Sequence, residues 1–268
     1  MQIARFLSDG KIQLGQRLDD CTALQIEGEI AKGYRVTDRR IRIDRLLAPL
    51  IPTDILCIGL NYREHAMESG GEIPANPVLF IKASNTLNNP FDPIPIPRRS
   101  SQIDYEGELA IVIGKAAHHV SRDRAREYVL GYTCANDVSA RDWQREKTLG
   151  GGQFARGKSF DGFCPLGPWI VTADEIPNPN SLRLRTLLNG QVMQDNTTGD
   201  MIFDVPTLIE SLSSTMTLRP GAVILTGTPQ GVGFARKPPV WMKDGDTVVV
   251  EIERIGQLGN PVGREMNS

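Results

Sequence analysis

Apolar residues along the chain come in short runs, each closed by glycine, proline or a polar cluster. From residue 54 onward the runs ILCIGL, VLFIK, LAIVIG, PWIVT, AVILT and TVVVEIE have the length and β-branched content of strands. The first fifty residues hold shorter β segments over 2–6, 11–14 and 22–26, and RIDRLLAPLIPTD reads as a connector ending at Pro52. Helical periodicity is rarer. Residues 121–130 open on Ser121 as N-cap and put Ala125, Tyr128 and Val129 on one face. Residues 204–213 open on Asp204, carry Pro206 in the first turn, and put Leu208, Ile209 and Leu212 on one face. The pattern predicts a mixed, β-rich α/β fold. It divides into a small N-terminal β subdomain over 1–52 and a main domain over 53–268.

Composition narrows the function classes. A net charge of −2 over 268 residues offers no basic field for nucleic acid or anionic lipid. No apolar segment is long enough to span a bilayer, and MQIARFLSDGKIQLGQ lacks the apolar core of a secretory signal. Cys21, Cys57, Cys134 and Cys164 lie far apart and form no CxxC pair, which fits reduced thiols rather than a zinc site. A cytoplasmic protein without membrane or nucleic-acid partners is the expectation.

Five stretches carry candidate chemistry. In IDYEGELAIVIG the acids Asp104, Glu106 and Glu108 recur at every second position, so on one strand they share a face. Either that strand end is solvated, or a hard divalent cation such as Mg2+ or Mn2+ relieves the repulsion. A cation on Glu106 and Glu108 would need a third acid from elsewhere, and NDVSARDWQ offers Asp137, at the end of the GYTCA strand, and Asp142. Arg141 and Gln144 fall on the Asp137 side of a helical turn. With a cation they suit carboxylate and carbonyl oxygens; alone they also fit a capped turn with a surface arginine. Lys158 in GKSFDGF is either a carbonyl-polarising cation or a solvated lysine. In GLNYREHAMESGG, His65 and Glu68 are three apart, the spacing of a base oriented by a carboxylate or of a surface ion pair. Glycines on either side would let that turn move as a lid. ILTGTPQGVG matches no nucleotide fingerprint; it is a tight turn, or a loop whose backbone N–H groups and Thr228 meet an anion.

In this order, IGLNYREHAMES, PVLFIKASN, IDYEGELAIVIGK, GYTCANDVSARDWQ, GKSFDGFCPLGPWIV, MTLRPGAVILTGTPQGVG and DGDTVVVEIERIGQLGNPV resemble the fumarylacetoacetate hydrolase family over residues 55–262. FARKPPVWMKDGD is most similar to the family's domain-containing protein 2 subgroup. The resemblance implies a β-roll catalytic domain, a small N-terminal domain and a homodimer. It implies Mg2+ (or Mn2+) held by Glu106, Glu108 and Asp137, and a lid dyad of His65 and Glu68. Lys158 would be a further catalytic cation, with substrate contacts from Lys82, Arg141, Gln144 and Thr228. The family acts on 2-oxo and β-diketo acids. The expected function is a metal-dependent enzyme for oxaloacetate-like 2-oxo acids, working through an enolate by C–C bond cleavage (acylpyruvate hydrolysis or oxaloacetate decarboxylation). Keto–enol tautomerisation of oxaloacetate is the alternative, and a non-catalytic dicarboxylate sensor a third.

Overall fold

In the computed structural model, which describes residues 1–30, 32–149 and 151–265, two sheets carry the chain. The larger has twelve strands. Its path runs from Gly33–Arg42 through Thr22–Glu29, Lys11–Arg17, Gln2–Ser8, Cys164–Thr172, Val129–Asn136, Gly107–Ile113, Val223–Leu225 and Ile55–Gly59 to Val78–Ile81. The five-stranded sheet runs Gln191–Thr197, Arg183–Leu188, Thr247–Ile252, Gly256–Arg264, Ile94–Ile96. The expected mixed, strand-rich architecture is the one found.

The apolar run of Gly107–Ile113 is explained by burial on both faces. Leu109, Ile111 and Ile113 enter a core with Leu208, Val250 and Ile252. Ala110 and Val112 enter a second core with Ile55, Cys57 and Leu225. The N-terminal strands extend the same sheet, since Ile3 of Gln2–Ser8 pairs with Ile170. The stretch expected as a connector holds the strand Arg45–Leu47, which pairs with Gln2–Ser8.

The helix over Val205–Ser213 forms as its sequence predicts. Asp204 Oδ1 accepts the Thr207 N–H at 3.0 Å, and Leu208, Ile209 and Leu212 are buried. The expected helix over 121–130 is corrected: Arg122–Tyr128 is a 3-10 helix, Ser121 makes no side-chain cap, and Val129 already begins a strand. Long-range ties replace the local signal there. The Arg122 guanidinium pairs with Asp204, and the Arg122 backbone N–H donates to Glu210 Oε1. No described helix is long and apolar enough to cross a membrane.

Candidate active site

The acidic stretch is not one straight strand. Ile103–Asp104 pairs with Ser139–Ala140, and Gly107–Ile113 pairs with Val129–Asn136. Glu106 lies in the break between them. Its N–H donates to Asn136 Oδ1 at 3.0 Å and its carbonyl accepts the Asp137 N–H at 2.9 Å. Asp137 follows directly on the Val129–Asn136 strand, so the break and the strand end face each other. A solvated acidic strand end is excluded: Asp104, Glu106, Glu108 and Asp137 are all 5% exposed or less.

Glu106, Glu108 and Asp137 offer oxygens that all lie within 4.8 Å of one another. Buried cations surround them. Lys158 Nζ donates to Glu106 Oε2 at 2.7 Å and Asp137 Oδ2 at 2.6 Å. Lys82 Nζ donates to Asp137 Oδ1 at 2.6 Å and the Val138 carbonyl at 3.1 Å, from behind the cluster rather than from the cavity. Arg141 donates to Asp104 at 2.8 Å, Glu106 at 2.5 Å and Gln144 Oε1 at 2.9 Å. Asp104 thus serves the guanidinium and not the cluster. Asp142 also stays outside, accepting from Ser100 and the Ser101 N–H.

Four buried carboxylates face three buried cations, so the group carries one uncompensated negative charge. Glu108 is where it falls. Its carboxylate accepts the Gly227 N–H at 2.6 Å, and among the described residues no cation pairs with it. Burial first, then Asp137 and Glu106, push the Glu108 carboxyl well above the usual range. Burial also pushes Glu106 up, but Arg141 and Lys158 more than offset it and hold the group at about 2. Burial works against the Lys158 ammonium, yet Asp137 and Glu106 keep it above its ordinary value, so it stays charged. Three hard oxygen donors with a net deficit of positive charge fit a divalent cation.

The cluster floors a cavity of about 170 Å³ lined by Glu106, Glu108, Lys158, Arg141, Gln144 and Thr228, among others. Thr228 donates to the Gly107 carbonyl at 3.0 Å and accepts from Gln194 Nε2 at 2.7 Å. His65, in the helix Arg63–Glu68, stands in the wall of the same cavity. Its Nδ1 lies 3.2 Å from Glu68 Oε2, which leaves Nε2 as the free ring nitrogen. Glu68 also accepts the Gly231 N–H, at 3.0 and 3.1 Å. His65 meets Phe234 edge-on with ring centroids 6.4 Å apart.

The structure thus brings seven of the ten expected site residues to the lining of the cavity, with Asp137 completing the acidic cluster, Glu68 set against His65 and Lys82 against Asp137. It adds Phe234, Arg145, Gln194 and the bracing role of Asp104. Phe234 had no local signal, because its contacts with His65 and Arg141 exist only in the folded chain.

The sequence matches the family model described as fumarylacetoacetate (FAA) hydrolase C-terminal over residues 54–263. It is 48% identical over 218 residues to the Xenopus laevis protein named oxaloacetate tautomerase fahd2, mitochondrial, covering 81% of this chain and 68% of that one. The fold resembles a fumarylacetoacetate hydrolase from Exiguobacterium antarcticum with a TM-score of 0.86 at 40% identity, over 99% of this chain and 100% of that one. It resembles a 5-carboxymethyl-2-hydroxymuconate delta-isomerase from Mycobacterium smegmatis with a TM-score of 0.87, at the same identity and coverage.

Proposed function

Because the chain belongs to the fumarylacetoacetate hydrolase family, an enzyme family, we propose that it interconverts the keto and enol forms of oxaloacetate-like 2-oxo acids with the help of Mg2+ (or Mn2+). The observation that carries this reading is one cavity lined by an imidazole and by two members of a buried cluster of three carboxylates. The name of the Xenopus laevis relative supports oxaloacetate as the first compound to test.

Glu106, Glu108 and Asp137 would hold the ion, which supplies positive charge against the oxygen that becomes negative on enolisation. Lys158 has used two of its three N–H donors on Glu106 and Asp137, and the third is free for the substrate. Arg141 is held in plane by Asp104, Glu106 and Gln144 and retains donors for a carboxylate. His65 Nε2 takes a proton from the carbon next to the keto group, and the electron pair moves onto the keto oxygen. Glu68 keeps the ring oriented and balances the imidazolium. Returning the proton to oxygen gives the enol, and the reverse gives the ketone.

A second reading is C–C bond cleavage, by acylpyruvate hydrolysis or oxaloacetate decarboxylation. The His65–Glu68 pair favours hydrolysis, because an imidazole set against a carboxylate can activate water. The reading also carries a homodimer, which light scattering of the purified chain tests.

The deciding experiment follows enol absorbance and pyruvate release together, with oxaloacetate or acetylpyruvate, in Mg2+ or chelator. Metal-dependent enol–keto relaxation without pyruvate is the expected result. Metal-dependent pyruvate release would replace it with the cleavage reading. Neither turnover nor saturable binding of either compound would overturn both.

A further inference from the structure

Arg145 ends the short helix Arg141–Arg145 and lines the cavity together with Arg141 and Gln144. Positions 141, 144 and 145 are spaced i, i+3 and i+4, so one helical face delivers all three to the same wall. The two arginines are in opposite electrical states. Arg141 is buried and neutralised by Asp104 and Glu106. Arg145 is exposed at the cavity mouth, and among the described residues no carboxylate pairs with it. Both guanidiniums lie against one ring: Phe234 has Arg141 Cζ at 4.6 Å and Arg145 Cζ at 4.7 Å from its centroid. The backbone that carries the ring is held, since the Phe234 backbone N–H donates to Asp104 Oδ2 at 3.1 Å. Stacking orients a guanidinium plane without using its N–H donors.

We propose that Arg145, stacked on Phe234, reads the distal carboxylate of the substrate and makes the site selective for 2-oxo dicarboxylates over analogues with a neutral distal group. The inference rests on the reading above that the 2-oxo acid end of the substrate sits on the carboxylate floor. With that end held by the floor, Lys158 and Arg141, the far end of a four-carbon diacid points to the mouth, where Arg145 supplies the unpaired charge. A planar carboxylate matches the bidentate fork of arginine, which a lysine reproduces only in charge.

The test compares oxaloacetate with its 4-methyl ester, which keeps the 2-oxo acid and removes the distal charge. Enolisation rates and calorimetric binding are measured on the Mg2+-loaded wild type, Arg145→Gln and Arg145→Lys. The wild type should prefer the diacid. In Arg145→Gln the ratio of kcat/KM for diacid over ester should fall about tenfold, chiefly through KM of the diacid. Arg145→Lys should restore part of the ratio. An unchanged ratio in Arg145→Gln, or an equal loss for both compounds, overturns the inference. If the wild type turns over neither compound, the enzymatic reading fails by itself and calorimetry decides. Tighter binding of the diacid that disappears in Arg145→Gln sustains the inference, and equal binding of acid and ester overturns it.

Discussion

Two of the three floor acids rest on long strands, whereas the cavity wall at His65, Arg145 and Phe234 rests on short turns. Glu108 belongs to a seven-residue strand buried along its whole length, and Asp137 follows an eight-residue strand. His65 and Glu68 sit in a six-residue helix, Arg145 ends a five-residue helix, and Phe234 lies in a three-residue turn. The floor is held by buried ion pairs, whereas the wall is tied down by the Glu68–Gly231 contacts and by aromatic stacking. Floor residues are therefore part of the core, and changing them disturbs folding and charge balance together. Wall residues can change with little effect on the core. On the function proposed above, the enolate chemistry would belong to the floor, and the choice of proton route and substrate to the wall.

The largest effect expected from this contrast is at Glu108. Glu108→Ala should lower metal-dependent turnover by about 10⁴-fold and leave the same residual rate in Mg2+ and in chelator. A variant that still responds to Mg2+ would break the assignment of the floor. Next comes Lys82→Met, which leaves Asp137 with one buried cation fewer. Urea unfolding should show a loss of about 3–5 kcal/mol; unchanged stability would mean that the floor is not the stressed element described here. His65→Ala should do the reverse, cutting the rate about a hundredfold with little change in unfolding midpoint. If it destabilises as much as Lys82→Met, the division between floor and wall is lost.

The smallest expected effect concerns pH. In the metal-free chain the Glu108 carboxyl is raised by burial and by Asp137 and Glu106, so folding favours its protonated form. Stability of the metal-free chain should therefore fall as pH rises from the ordinary carboxylate range through the raised value. A divalent ion needs the deprotonated group and offsets that loss. The gap in melting temperature between Mg2+ and chelator should widen over this window by roughly a few degrees. A gap that narrows as pH rises would contradict the charge balance at Glu108.

What the sequence made legible follows how local each signal is. The helix at Val205–Ser213 was readable because its cap, proline and apolar face lie within ten residues of each other. Glu106, Glu108 and Asp137 stood out as acids beside apolar runs, but their burial could not be read. The lysines that compensate Asp137 are 55 and 21 positions away in the chain. Asp104 was grouped with the other acids by spacing, and only the break at Glu106 turns it towards Arg141. Gly33–Arg42 and Gln191–Thr197 were missed as strands. Both are largely exposed and polar, so no apolar run marks them.

Gly107 stands between two of the three carboxylate residues, and the second sheet grips it. Its N–H donates to Gln194 at 2.9 Å, and a Cβ there would lie 2.1 Å from Thr186 Oγ1. Thr186 and Gln194 belong to the five-stranded sheet, which contributes no acid to the cluster. The spacing between the two glutamates is thus calibrated from outside, by how closely one sheet is docked on the other. On the proposed metal reading, ion affinity in this chain would be a strain gauge for that seam. A substitution far from the cavity that shifts the docking will register first as a change in how well the glutamates close on an ion.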